Sequence, residues 1–187
     1  MVQGKKERKN VMDSRVDFGL GDVKYSCYLV GKPGSGKTTR LIELVQQMTQ
    51  EKNRIFVLAE TEEFAKSLEH THVHEPSNIT PDKLKQAGIH VLTITYNLSS
   101  EVLLDRIFLM VVAECIDNYQ EPTALVIDGI DPSSTMIHWL REFGKKTKRL
   151  NNSLLIAHQI VNEEIAERNW VVKAPFKWVV QSATVND

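Results

Sequence analysis

Gly31-Lys32-Pro33-Gly34-Ser35-Gly36-Lys37-Thr38 fits the pattern G-x-x-x-x-G-K-[ST] in full, and its reading decides the fold. Before it, Tyr25 to Val30 is an apolar run that reads as a buried strand. After it, Leu41, Leu44, Val45 and Met48 recur at helical spacing and predict a helix over Lys37 to Glu51. Strand, glycine loop and helix are the context in which this pattern makes an anion cradle. Glycines let backbone N–H groups turn inward around phosphate oxygens. The start of the helix adds the positive end of its dipole. Lys37 supplies a charge to the β- and γ-phosphates of ATP, and Thr38 a hydroxyl to Mg²⁺. With Thr39, residues Gly31 to Thr39 form the predicted nucleotide-binding set. A random chain of this length matches the pattern about once in a hundred, given ordinary glycine usage.

Short apolar runs and longer amphipathic ones alternate through the rest of the chain. Strands are predicted at Arg54–Ala59, Ile89–Tyr96, Ala124–Ile127, Leu154–Ala157 and Lys177–Ser182. Helices are predicted at Phe64–Leu68, at Asp82–Ala87 with Gly88 as its stop, from Ser99 or Ser100 to about Tyr119, from Ser133 or Ser134 to near Leu150, and at Asn162–Arg168. The polar stretch His70–Pro81 reads as a loop. Strands alternating with helices imply right-handed crossovers and a mostly parallel central sheet with helices on both faces, an α/β fold. Strands that are apolar throughout, instead of alternating, fit burial on both sides.

Such a site needs a second acid on the metal side. Leu125-Val126-Ile127-Asp128 is an apolar strand ending in Asp, the Walker B pattern, at the sheet edge where ligands bind in open α/β folds. Thr38 and Asp128 are therefore the expected Mg²⁺ ligands. Many ATPases place a water-orienting Glu directly after this Asp; here Gly129 stands there, and Asp131 is three residues from Asp128. The tip of the second strand, Phe56-Val57-Leu58-Ala59-Glu60-Thr61-Glu62-Glu63, offers Glu60 as first candidate and Glu62 as second. The alternative is an acidic helix start favoured by the dipole. Leu154-Leu155-Ile156-Ala157-His158-Gln159 places an amide, Gln159, beside the same edge, where it could sense the γ-phosphate or place water.

Composition limits the function classes. The chain has 187 residues, one domain at roughly 100–200 residues each. Hydrophobic residues at 42% and charged residues at 25% supply an ordinary globular core. Twenty-three Lys and Arg against 24 Asp and Glu leave a net charge of −1, so nucleic acid would have to meet a local patch or a shared oligomeric surface. Cys27 and Cys115 sit in apolar runs, which excludes a disulfide scaffold and predicts a reducing compartment. The longest apolar stretch, Ile107 to Ala113, falls far short of the roughly 18 residues of a membrane span. A basic, polar N-terminal tail over residues 1–24, with no apolar stretch behind its charges, precedes one domain at 25–187, and a cytoplasmic protein is expected.

Three further features are weighed. His70, His72 and His74 would share one face on a strand, but a solvated loop is the simpler reading, and no cysteine or carboxylate pattern supports structural zinc. Lys145, Lys146, Lys148 and Arg149 cluster at a helix end, as a solvated face or as a phosphate-backbone contact; Arg141, Arg149 and Arg168 are candidates for a finger reaching a neighbouring subunit. Trp139, Trp170 and Trp178 have apolar neighbours and are expected to pack.

Phosphate loop, strand-tip Glu60, Walker B Asp128 and a strand ending in Gln159 follow an order that resembles the RecA-like class of P-loop ATPases. Ala157-His158-Gln159 through Ala174-Pro175-Phe176-Lys177-Trp178-Val179-Val180-Gln181-Ser182 is similar to the terminal stretch of the FtsK–HerA branch of DNA pumps. Glu60 instead resembles the KaiC, DnaB and RecA branch, where a catalytic Glu ends the strand after the phosphate-loop helix. Gly129 departs from FtsK–HerA at that point. The resemblance implies a single RecA-like domain hydrolysing ATP with Mg²⁺ in a homo-oligomer, a hexamer, that moves DNA for genome packaging or conjugation beside a viral or conjugative partner protein. It leaves open a recombinase-like ATPase, a nucleotide switch or a small-molecule kinase. A kinase lid usually carries several arginines, and only Arg168 lies between Gln159 and the last strand.

Overall fold

The computed structural model describes residues 26–30, 33–94, 101–117, 121–131, 133–140, 143, 152–159 and 179–180. The predicted tail, the Ser99/Ser100 cap, the lysine cluster, Arg141, Arg149, Arg168, Trp170, Trp178 and the Asn162–Arg168 helix lie outside them. In chain order the elements are β1 (Ser26–Val30), α1 (Lys37–Met48), β2 (Arg54–Ala59), α2 (Glu63–Ser67), β3 (Thr71–His74), a 3₁₀ turn (Pro76–Asn78), α3 (Pro81–Leu84), β4 (Gly88–Thr93), α4 (Glu101–Asp117), β5 (Thr123–Asp128), β6 (Ser153–His158) and β7 (Val179–Val180). Residues 134–140 are also helical.

All seven strands pair in parallel in one sheet ordered β3-β4-β2-β5-β6-β1-β7. Burial explains the continuous apolar strands. Along β2, Phe56 and Leu58 face a core shared with Phe108, Val111, Met136 and Leu140, while Ile55, Val57 and Ala59 face one shared with Leu41, Leu44, Val45 and Phe64. Helices thus cover both faces: α3, α4 and the 134–140 helix on one, α1 and α2 on the other. Ser133 caps the 134–140 helix, its hydroxyl accepting the Met136 N–H at 3.1 Å.

Several expectations are corrected. The Lys37 helix ends at Met48, where the N–H groups of Glu51 and Lys52 both turn back onto the Met48 carbonyl. The helix expected at Asp82–Ala87 is the single turn Pro81–Leu84, and Gly88 opens a strand instead of stopping a helix. Trp139 is 37% exposed, with His138 edge-on to its ring, so it does not pack into the core.

The His70–Pro81 stretch is not a loop. Thr71–His74 is the outer strand of the sheet, in register with Ile89–Leu92. Its apolar residue, Val73, points out at 59% exposure, and its inward side is built of imidazoles. His72 and His74 both stack on His90 of β4, with centroids 5.0 and 5.1 Å away, and His90 stacks in turn on Phe56 at 5.1 Å. Hydrogen bonds fix the protons. His90 Nε2 donates to the Gln86 carbonyl (2.8 Å), which leaves its Nδ1 to accept from His74 Nε2 (2.9 Å); His72 Nε2 donates to the Ala87 carbonyl (3.3 Å). Among the described residues no group of three or more side chains suits a metal.

Two of the stacked rings, His74 and His90, favour the neutral form. Burial, then the neighbouring His90 and His72, pulls His74 down to about 4; burial also lowers His90. Depressed histidine values favour the neutral form in the fold. Their contribution is complete above the unfolded value near 6.5 and is lost as pH falls toward about 4. The thermal midpoint should therefore drop across that window, and His74→Leu should flatten the drop. An equally steep drop in the variant would refute this account of the edge strand.

Candidate functional site

The site forms where the parallel strands end. Ala59, Asp128 and Ala157 stand side by side on β2, β5 and β6, and Ala157 is level with Leu29 on β1. The ladder runs on past the strands: Glu60 N–H donates to the Asp128 carbonyl and Gly129 N–H to the Ala157 carbonyl, each at 3.0 Å. Glu60, Asp128 and the β6 tip are thereby held at one edge.

Helix α1 opens on Gly36 in the left-handed region (φ 85°), without a side-chain cap and without an acidic residue in its first turn. The start of the helix therefore presents the positive end of its dipole where an anion would sit. Gly31 and Lys32 lie outside the described residues; Pro33 and Gly34 are exposed, and Ser35, Lys37 and Thr38 are half-buried. Thr39, beside them, is exposed. Lys37 Nζ lies 3.4 Å from Ser35 Oγ. Burial lowers the Lys37 pKa, and Asp128 pulls it back up.

Thr38 Oγ1 donates to Asp128 Oδ2 at 2.7 Å, joining positions 90 apart in the chain. Asp128 is buried, which raises its pKa; the Thr38 hydrogen bond and Lys37 oppose the rise, while Glu63 and Glu60 add to it. A carboxylate kept partly from water, faced by a cation and a hydroxyl and flanked by other acids, has the character of a cation site.

Gly129 takes a left-handed φ of 75°. A Cβ placed there would stand 2.7 Å from Glu60 Oε2 and 3.2 Å from Glu60 Cβ. The Glu60 side chain therefore fills the space over residue 129, the position at which many ATPases carry their acid. Glu62 is elsewhere: it precedes α2, is 65% exposed and pairs with Lys66 at 2.8 Å, which lowers its pKa. Asp131 is bound to His158, Oδ1 to Nε2 at 2.6 Å. Gln159 follows β6 and is exposed, one residue past the Val30–His158 pair.

Two participants escaped the sequence reading. Glu63 bears on Asp128 electrostatically; it stood in the acidic run after Ala59 but one place beyond the residues singled out. The Asp131–His158 pair joins separate segments, and no local pattern announces it.

A glycine loop between β1 and α1, with a buried carboxylate on β5 bonded to the first-turn Thr38, defines a P-loop NTPase. Residues 20–142 match the family model of the AAA domain, and the chain belongs to that family. The family match and the loop together make it a P-loop NTPase. No curated protein matches. Among solved structures it is similar to the genome packaging NTPase B204 of Sulfolobus turreted icosahedral virus 2 in complex with AMPPCP, at 13% identity and a TM-score of 0.50, over 75% of this chain and 66% of that one. The complex of the same protein with ATP-gammaS matches at 13% identity and a TM-score of 0.47, over 74% and 66%. The chain thus spans just under two thirds of that protein's length. No described helix is long and apolar enough to cross a membrane.

The Gly129–Glu60 contact is open to test by stability alone. Gly129→Ala should destabilise the fold by about 1–3 kcal/mol, from the left-handed backbone and the collision together. Glu60→Ala in the same chain should return the collision part, a coupling of about 0.5–3 kcal/mol in denaturant melts. Additive losses would mean that the two side chains do not compete for one space.

Proposed function

We propose that this chain is the ATPase engine of an oligomeric DNA motor of the FtsK–HerA kind, serving genome packaging or conjugative translocation. The observation that carries the reading is the position of β6. It lies between β1, which leads into the phosphate loop, and β5, which ends in Asp128, so that the polar tip at Gln159 stands between the two halves of the nucleotide site. The fold shared with a viral genome packaging NTPase supports it. A homo-oligomer, a hexamer by the resemblance to the RecA-like class, would close the exposed side of the loop with a basic residue from the neighbouring subunit.

In this reading Gly31 to Thr39 cradle the phosphates and Lys37 neutralises the β- and γ-oxygens. Thr38 Oγ1 and Asp128 Oδ2, 2.7 Å apart, are the hard oxygen donors that Mg²⁺ takes, and they would hold it. The ion supplies charge neutralisation on the phosphates. Glu60 orients the attacking water and accepts its proton, because it is the acid seated over Gly129. Glu62, tied to Lys66, is second to it. Gln159 senses the γ-phosphate. A second reading, a RecA- or KaiC-like ATPase without translocation, is favoured by one feature: the acid rises from β2, not from the residue after Asp128.

Turnover should need Mg²⁺ and vanish in Lys37→Ala. Glu60→Gln should still bind nucleotide while turnover falls about 10²-fold or more; loss in Glu62→Gln alone would move the acid one strand period along.

The motor is tested by ATPase rate with and without single- and double-stranded DNA, alongside mass by light scattering. DNA should stimulate turnover in an oligomer, and Lys37→Ala subunits mixed into wild type should poison activity more than in proportion. A DNA-indifferent monomer with full activity would exclude the motor.

A further inference from the structure

The loop after Asp128 meets β6 through a side-chain contact that the nucleotide chemistry does not use. Gly129 N–H is bonded to the Ala157 carbonyl, and its backbone is left-handed. Asp131 Oδ1 then meets His158 Nε2 at 2.6 Å. The two partners differ: the Asp131 side chain is 75% exposed, the His158 side chain 13%. His158 is the last residue of β6, in register with Val30 at the end of β1, and Gln159 follows it. The imidazole therefore stands between the root of the phosphate loop and the segment that leaves Asp128.

A polar pair with one partner in solvent adds little to folding stability. What it restricts is position. The Gly129–Ala157 bond is a second tie at this level, made by backbone alone. We propose that the Asp131–His158 pair is a positioning latch for ATP hydrolysis: it holds the β6 tip, and with it Gln159, at a fixed distance from Asp128. Asp131 acts through His158 and does not itself activate water. This inference rests on the ATPase reading of the site.

The test measures kcat and KM for Mg-ATP, together with thermal midpoints, in the full chain. Asp131→Ala and His158→Leu should each lower kcat about 10-fold, with KM within about twofold and midpoints unchanged. The double variant should be no worse than either single, because both remove one interaction. His158→Gln, whose amide nitrogen can take the place of Nε2 and donate to Asp131, should keep kcat within about threefold. The latch is overturned by unchanged kcat in both singles, multiplying losses in the double, His158→Gln as impaired as His158→Leu, or midpoints that fall with kcat. Loss in Asp131→Ala with full activity in His158→Leu would make Asp131 a catalytic acid instead. A wild-type chain that hydrolyses no ATP sinks the ATPase reading and the latch together; an active wild type with indifferent variants sinks the latch alone.

Discussion

Three parallel strands in one register govern the nucleotide edge. Ala59, Asp128 and Ala157 lie in one row, and the hydrogen bonds from Glu60 and Gly129 extend that row one residue beyond the sheet. Parallel strands all present their carboxyl ends on the same side, so each contributes its next side chain to a shared crevice. A one-residue slip of β5 would turn Asp128 to the opposite face of the sheet and remove it from Thr38. Register is held by side chains packed on both faces, which makes the core described above a condition of the site as well as of stability.

The electrostatics follow from that placement. Burial of Asp128 is unfavourable for a lone carboxylate, and Thr38 and Lys37, brought by the loop, are what offset it. Lys37 experiences the reverse: burial lowers its pKa, and Asp128 restores part of the loss. Loop and strand thus stabilise each other's charged forms. The acids at Glu60 and Glu63 push the other way and raise the negative potential around Asp128, a potential that a divalent cation would relieve.

How much of this was legible in the sequence depended on what kind of residue did the packing. β2 reads residue for residue as Arg54–Ala59 because all its positions are buried and apolar runs have no other use there. β3 does not, because its inward face is His72 and His74 and its one apolar side chain looks outward. A hydrophobic pattern cannot register a strand held by stacked imidazoles. α1 was read three residues too long, since nothing in Thr49-Gln50-Glu51 breaks a helix; the break is made by Glu51 and Lys52 turning back to Met48. At the site, the loop and Asp128 carry their own spacing rule. Gly129 was visible as a departure, but the side chain over it was not, because the contact depends on the β2–β5 register. The Asp131–His158 pair depends likewise on β5 and β6 being neighbours.

The crowding over Gly129 bears on how such sites change through descent. One volume of space beside Asp128 admits a side chain either from the β2 tip or from residue 129, and here Glu60 occupies it. A lineage moving its acid from one strand to the other must alter two codons. The intermediate with a side chain at both positions is crowded, and the intermediate with glycine at both has no acid there. Either half-step carries a penalty, so the two positions should be inherited as a unit. Related chains should then fall into two separate sets, acid on β2 with glycine after the Asp, or acid after the Asp with a small residue on β2, with few sequences between them.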